Sequence, residues 1–231
     1  MLAPWIWIFL ILPYARGNTE KTIFLGPSPI DLGSAHPTLR DLQLVALSPD
    51  EFTTRTYLDA EFPNTERMHG KSSWFILHQL NEGRRYEVRV CWAATQPTVF
   101  RLDTYDPATV LGAPELASEL SAYASSRRDY MDNYDATSSR NADLDIEDAV
   151  LLLRIAAAAD FYTTNQTLMT SIPPVFVDII LDPFILNVFP RSLSYTVTYI
   201  LAVTILSWLV GEWISSRVCV IAAEPTKQKY H

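Results

Sequence analysis

The longest apolar stretch of the chain runs from Leu193 to Val210 and contains no charged residue. As an α-helix it would be roughly 27 Å long, which matches the hydrocarbon layer of a lipid bilayer. Tyr195 and Tyr199 lie near one end, and Trp208 and Trp213 lie near the other, as in the aromatic belts of membrane proteins. The pattern therefore predicts a transmembrane helix.

A buried helix of a soluble core is the alternative, but core helices seldom stay uncharged on every face. We predict a single span over residues 191–214, followed by a cytosolic tail over 215–231. Four small or hydroxylated residues recur at helical spacing and predict a narrow face that packs against a partner helix: Thr204, Ser207, Gly211 and Ser215. Glu212 beside this face either pairs with a cation of the partner or reaches the lipid headgroups.

A second apolar run, Leu2 to Leu12, is too short to span a membrane. The small residues Ala15 and Gly17 that follow it are typical of a signal-peptide cleavage site. We therefore expect residues 1–17 to be a signal peptide. An uncleaved anchor is the alternative, because only the α-amine supplies positive charge before the apolar run.

A cleaved signal peptide would place the following region in the lumen of the secretory pathway. Arg217, Lys227 and Lys229 near the C-terminus agree with a cytosolic tail, since positive charge accumulates on that side. Lys227 and Lys229 also match a K-x-K-x-x retrieval signal of the endoplasmic reticulum, which is read only on cytosolic tails. Asn165 begins an N-x-T sequon and is predicted to carry a glycan on the lumenal side.

Short strand patterns fill the region before residue 105. The clearest is Tyr86–Trp92, in which Tyr86, Val88 and Val90 alternate with the charged Glu87 and Arg89. The other predicted strands are Thr22–Leu25, Leu42–Leu47, Thr53–Leu58, Trp74–Leu77 and Val99–Asp103. Turn residues separate them, so the fold class is mainly β: a lumenal antiparallel β-sandwich-like domain over residues 18–170, with the C-terminal transmembrane helix.

Three segments follow these strands. Good helix formers predict a helix over Ala113–Ser125, and the polar residues 126–145 suggest a mobile insertion. Val150–Ala158 fits a strand or a helix, and we favour a strand that closes the sandwich.

Residues 171–190 are very apolar but contain Asp178, Asp182 and several prolines. A carboxylate in the middle of a span costs about 2.5–3.5 kcal/mol, so a second transmembrane helix is not expected. We expect this juxtamembrane segment to lie along the lumenal membrane surface or against a membrane partner. The alternative is a final piece of the lumenal core.

The net charge of −8 argues against nucleic-acid binding, and the 48% of hydrophobic residues argue against a mainly disordered chain. The two cysteines, Cys91 and Cys219, would lie on opposite sides of the membrane, so they cannot pair within one copy. Cys91 is expected to be a small buried residue of its strand.

No residue pattern predicts catalysis. His36, His69 and His78 lack metal-ligand spacing, and there is no nucleophile elbow or Gly-rich phosphate loop. The D-x-D of Asp143 and Asp145 occurs in metal–nucleotide sites, yet here it lies in the polar insertion without a Rossmann-like pattern. We therefore assign no catalytic, cofactor-binding or metal-binding residue and expect no cofactor.

The run Arg85–Thr98 (RYEVRVCWAATQPT), with Thr22–Pro27 and Ser73–Phe75, resembles the fungal accessory subunit of glycosylphosphatidylinositol (GPI) mannosyltransferase II. The resemblance covers roughly Asn18 to Asp103 and the layout of signal peptide, lumenal domain and span. It implies a non-enzymatic protein of the endoplasmic reticulum membrane that stabilises or activates a separate, multi-spanning GPI α-1,6-mannosyltransferase. That partner adds the second mannose to the GPI precursor from dolichol-phosphate mannose.

The main alternative is a single-span cargo receptor or adaptor of the early secretory pathway. Such receptors usually have a lumenal coiled coil and a disulfide, whereas this chain has no heptad repeat before the span and one lumenal cysteine. An independent membrane enzyme is a third class, for which the sequence offers no catalytic residues.

Overall fold

The computed structural model describes residues 18–29, 39, 42–133 and 149–223. The predicted signal peptide, the dilysine residues Lys227 and Lys229, His36 and the D-x-D of Asp143 and Asp145 lie outside these residues. The predictions made for them stay predictions.

Nine strands and four α-helices are found in the described residues. The strands are β1 (Thr19–Leu25), β2 (Val45–Leu47), β3 (Thr53–Leu58), β4 (Lys71–Leu77), β5 (Arg85–Trp92), β6 (Thr98–Tyr105), β7 (Leu151–Ala159), β8 (Val175–Ile185) and β9 (Phe189–Pro190). The helices are α1 (Pro107–Gly112), α2 (Pro114–Asn133), α3 (Gln166–Thr170) and α4 (Ser194–Ala223), and a 3₁₀ turn (Arg191–Leu193) precedes α4.

The strands form two sheets. Sheet A has the order β1-β5-β8-β3 with antiparallel neighbours, and β9 pairs with the end of β8. Sheet B has the order β2-β4-β7-β6, in which β2 and β4 are parallel and the other pairs are antiparallel. The predicted mainly β fold with a C-terminal apolar helix is confirmed, and so is the choice of a strand for Val150–Ala158.

The main core lies between the two sheets. Alternation along each strand directs one set of side chains inward, as Tyr86, Val88 and Val90 show in β5. The core side chains contributed by other strands include Leu58, Phe75, Leu77, Phe100, Leu153, Ile155, Val177, Ile179 and Leu181.

Helix α2 covers the outer face of sheet B. Trp74, Ile76 and Leu152 point out of that face and pack with Leu120 of α2 and Val110 of α1. Because both faces of sheet B are covered, β4 and β7 are buried almost throughout and have nearly continuous apolar sequences.

The start of the predicted mobile insertion is helical. Helix α2 extends to Asn133, so the prediction of a mobile insertion is corrected for residues 126–133, which are helical. Residues 134–145 lie outside the described part of the chain. The sequence there has no Gly or Pro to end the helix. Arg127 also ties it down, since its Nε donates to the carbonyl oxygen of Gln43 at 3.0 Å.

The expectation that residues 171–190 lie along the membrane is wrong for Val175–Ile185. These residues form β8, which lies between β5 and β3 in the middle of sheet A, so the alternative of a final core segment is correct. Four inward residues of β8 are buried: Val175, Val177, Ile179 and Leu181. Burial at every second position is the spacing of a strand, whereas a helix lying on a membrane would need apolar residues three or four positions apart. Pro183 is compatible with a strand in the middle of the sheet because it lies beyond Ile180, the last residue of β8 that pairs with β3. At that point β8 has a neighbour on one side only, as an edge strand does.

Helix α4 projects from the sandwich. The segment Arg191–Val220 is long and apolar enough to cross a membrane. Its most apolar window of 18 residues has a mean hydropathy of 1.7, and none of that window is buried in the protein. A core helix of a soluble domain would be covered by its neighbours, so that alternative does not apply. The helix continues to Ala223, so the first residues of the predicted tail, 215–223, are helical.

Candidate functional site

The sandwich is joined to α4 by a short segment that is hydrogen-bonded back onto sheet A. The carboxylate of Asp182 in β8 accepts hydrogen bonds from the backbone N–H of Ser192, with N···O distances of 3.3 and 3.2 Å. Arg89 of β5 places Nη2 3.5 Å from Asp182 and 3.3 Å from the Ser192 hydroxyl. Since Ser194 begins α4, these bonds fix the base of the helix to the last long strand of the sandwich.

Two further charges complete this group. Glu87 is only 2% exposed and lies 2.9 Å from Lys21 Nζ and 3.4 Å from Arg89 Nε. Lys21, Glu87, Arg89, Asp182 and Ser192 together are called the junction below. Its two carboxylates face two cations, which is the condition under which buried carboxylates are tolerated.

The sequence places Glu87 and Arg89 correctly on the outer face of their strand, but that face is not solvated at Glu87. Asp182 is also buried. From the sequence alone, this carboxylate argues only against a second transmembrane helix and does not point to the junction. The signal that points to the junction is the occurrence of three charges inside apolar strand patterns, since a charge in such a pattern usually has a partner.

The turn between β8 and β9 has an unusual backbone. Leu186 and Asn187 both have positive φ, at 52° and 58°, which residues with side chains adopt rarely. The Asn187 side chain stabilises this conformation, because Oδ1 accepts from the Arg85 N–H at 2.8 Å and Nδ2 donates to the Gly83 carbonyl at 3.0 Å. The turn is thus bonded to the start of β5.

The predicted packing residues lie on α4. Thr204, Ser207, Gly211 and Ser215 follow each other at intervals of three or four residues, and all four are exposed. A methyl group added at Gly211 would meet no atom within 4 Å, so this face of the helix is open. Thr204 satisfies its hydroxyl by donating to the Ile200 carbonyl at 2.8 Å. Glu212 lies close to Ser215 on the same stretch of the helix.

Asn165 is exposed and caps α3, with its side-chain oxygen accepting from the Thr167 N–H at 3.0 Å. Helix α3 connects the end of β7 to the start of β8. Because β8 runs from this end of sheet A to the junction end, the sequon and the base of α4 lie at opposite ends of the strand.

A cleft of about 900 Å³ lies between α2 and the connection from β3 to β4. Four of its charged side chains form two ion pairs: Arg67 with Glu61 at 2.9 Å, and Arg154 with Glu119 at 3.1 Å. Burial raises the pKa of Tyr123 in its wall, an effect that neighbouring Arg127 opposes. No local sequence pattern indicates this cleft, because its walls come from segments that lie far apart in the chain.

Cys91 is only partly buried, on the outer face of sheet A, where its sulfur accepts a hydrogen bond from the Thr19 hydroxyl at 3.6 Å. It is therefore less buried than expected. Cys219 is exposed on α4, and neither cysteine forms a disulfide. His69 contacts the guanidinium of Arg101, with a distance of 3.0 Å from Nε2 to Nη1.

Asp103, one of the acidic residues near the end of β6, pairs with Arg101 at 3.2 Å. Among residues 18–29, 39, 42–133 and 149–223, no three His, Cys, Asp or Glu side chains are grouped so that they could hold a metal ion. Comparison with known proteins found no match to the chain among protein-family models, curated proteins or solved structures.

Proposed function

We propose that the chain is a non-catalytic, single-span subunit of the endoplasmic reticulum mannosyltransferase that adds the second mannose to the GPI precursor. Its sandwich would lie in the lumen, and its partner would be the multi-spanning α-1,6-mannosyltransferase. The resemblance of residues 18–103 to the fungal accessory subunit suggests this partner.

The observation that carries the proposal is the junction. Asp182 and Arg89 hold Ser192, so the sandwich has a defined position at the base of α4. Such a link suits a subunit that stabilises a membrane enzyme. When α4 contacts the enzyme within the bilayer, the sandwich is held in position to contact the same enzyme outside the bilayer.

Helix α4 supports the same proposal. In a bilayer, helices associate through close packing and hydrogen bonds rather than by the hydrophobic effect. The open face of Ser207 and Gly211 would let the backbone of a partner helix approach closely.

Depletion of the chain and rescue by variants test the proposal. Cells without the chain should accumulate a GPI precursor with one mannose, and the wild-type chain should restore the later precursors. The Ser207→Leu/Gly211→Leu variant should co-purify less mannosyltransferase and rescue less. A matched control, Ile205→Phe/Leu209→Phe, adds bulk on the opposite face of α4 and should rescue fully.

Two results would argue against the proposal. Normal GPI precursors in depleted cells would exclude the assigned step, and delayed export of a subset of glycoproteins would favour a cargo receptor instead. If a foreign span of equal length rescues fully, the sandwich holds the contact and α4 serves only as an anchor.

A further inference from the structure

A group of apolar side chains is exposed at the junction end of sheet A. Leu186 is 89% exposed, Val188 is 72% exposed and Leu25 is 57% exposed. The strand register places Leu25 opposite Arg85, whose N–H donates to Asn187 between the other two residues. The three residues therefore lie at the same end of sheet A, and not at scattered positions.

Arginine side chains border these apolar residues. Arg84 donates from Nε to the Phe184 carbonyl at 3.3 Å, and its guanidinium lies 5.8 Å from the centre of the Tyr86 ring. Arg85 is exposed, and its guanidinium lies 5.8 Å from the centre of the Phe184 ring. We call Leu25, Arg84, Arg85, Leu186 and Val188 the membrane edge.

The charge of this end of the sandwich is positive. Beyond the two cations and two carboxylates of the junction, Arg84, Arg85 and Arg191 supply three cations at this end. Glu82 supplies one further carboxylate, which accepts a hydrogen bond from the Ser28 hydroxyl. Guanidinium groups bind phosphate oxygens with two parallel hydrogen bonds, and their apolar stems tolerate a partly apolar environment. Arginines beside exposed leucines are thus suited to the boundary between headgroups and acyl chains.

The chain itself brings this surface to a bilayer. Leu193 directly precedes α4 and comes only seven positions after Leu186, so the two lie at most about 25 Å apart even if the chain is extended. The reversal of the chain at β9 shortens that distance. A bilayer crossed by α4 must then lie close to the exposed turn.

We propose that the membrane edge rests in the headgroup layer of the bilayer that α4 crosses. Leu186 and Val188 reach the apolar boundary, and Arg84 and Arg85 lie level with the phosphates. Strand β8 itself stays in the protein core, and only the turn after it contacts lipid. The proposal rests on α4 crossing a membrane and does not depend on the identity of a protein partner.

This contact gives the sandwich a second attachment besides the junction. Two attachments restrict its tilt, since rotation about the base of α4 would pull the turn out of the lipid. The end that carries Asn165 and Tyr162 would then point away from the bilayer.

Spin labels in the full chain test the proposal. Cys91 and Cys219 are replaced by Ser, and single cysteines are introduced as Leu186→Cys, Val188→Cys and, as a matched control, Tyr162→Cys. Tyr162 is 87% exposed, about as much as Leu186, but lies at the opposite end of β8. The labelled proteins are reconstituted into phosphatidylcholine liposomes without any other protein.

Collision rates with a water-soluble nickel complex and with oxygen then report the surroundings of each label. We expect nickel collisions at 186 and 188 to be several-fold fewer than at 162, with more oxygen collisions. Equal nickel rates at all three positions would overturn the proposal. Adding Arg84→Gln and Arg85→Gln should raise the nickel rate at 188 toward that at 162, and an unchanged rate would overturn the role given to the arginines.

Discussion

Strand β8 and helix α4 are two apolar segments that follow each other in the chain, yet they occupy different environments. In β8, apolar residues face the core while Asp178 and Asp182 face cations on neighbouring strands. In α4, no face carries a charge between Ser194 and Gly211, and the first carboxylate is Glu212. The placement of charges, more than the apolar content, therefore distinguishes the segment that packs in the core from the segment that could cross a membrane.

The two segments meet at the junction. We expect a substitution there to cause the largest loss in the free energy of unfolding. Asp182→Leu would leave the Ser192 N–H without its acceptor and would remove one of the two carboxylates beside Arg89. Breaking a buried ion pair typically costs about 3–5 kcal/mol, so we expect a loss of this order in the free energy of unfolding. Urea unfolding of the detergent-solubilised chain, followed by tryptophan fluorescence, measures it.

Asp178→Leu is the matched control, because Asp178 pairs with Arg55 on the open side of the same strand. That hydrogen bond raises the pKa of Arg55, but the pair is exposed to solvent and contributes little to stability. A loss as large as that of Asp182→Leu would show that the junction has no special role.

The next largest loss of stability is expected when an isoleucine of β8 is replaced, and an isoleucine of α4 provides the matched comparison. Ile179 of β8 is fully buried, whereas Ile205 of α4 is 55% exposed. We expect Ile179→Ala to lower the free energy of unfolding by about 2–5 kcal/mol, because it leaves a cavity between the sheets. Ile205→Ala should change it far less under the same conditions, and equal losses would mean that α4 packs in the protein.

A charge placed in each segment should have opposite consequences for membrane integration. Leu201→Arg puts a cation in the apolar part of α4, which costs about 2.5–3.5 kcal/mol on insertion scales. We expect more of this variant to be released from membranes by carbonate extraction. Phe176→Arg lies on the open face of β8, where Phe176 is 39% exposed, and should remain membrane-bound. Release of both variants alike would remove the distinction between the segments.

The smallest effect concerns the sequon. Because Asn165 is exposed at the end of β8 opposite the junction, we expect a glycan there in secretory cells. Endoglycosidase treatment should shift the mobility of the wild-type chain and leave Asn165→Gln unchanged. A wild-type chain without any shift would argue against a lumenal sandwich.

Much of this fold can be predicted from local patterns. The alternation in Tyr86–Trp92 and the uncharged run Leu193–Val210 each report a single environment, so both the strand and the long helix are found from the sequence. Residues 171–190 are harder, because their prolines and aspartates exclude a span while their apolar content suggests a membrane surface. The end of α2 is missed because its polar sequence resembles that of a mobile segment.

The junction requires information that no single segment contains. Arg89 and Asp182 are 93 residues apart in the chain and meet only because β5 pairs with β8. A carboxylate in an apolar pattern predicts a need for a cation but not which cation meets it. The exposed turn at Leu186 is equally hard to predict, since its orientation depends on the hydrogen bonds of Asn187.

Cysteine reactivity in liposomes tests the contrast between β8 and α4 within one preparation. In a chain without Cys91 and Cys219, single cysteines replace Ile179 and Ile205, and the liposomes carry the sandwich on their outer surface. A membrane-impermeant maleimide should react with neither cysteine in the native protein. After urea unfolds the sandwich, position 179 should react while the bilayer still shields position 205. An unreactive position 179 in urea, or a position 205 that becomes reactive, would show that the two segments do not occupy the environments assigned to them.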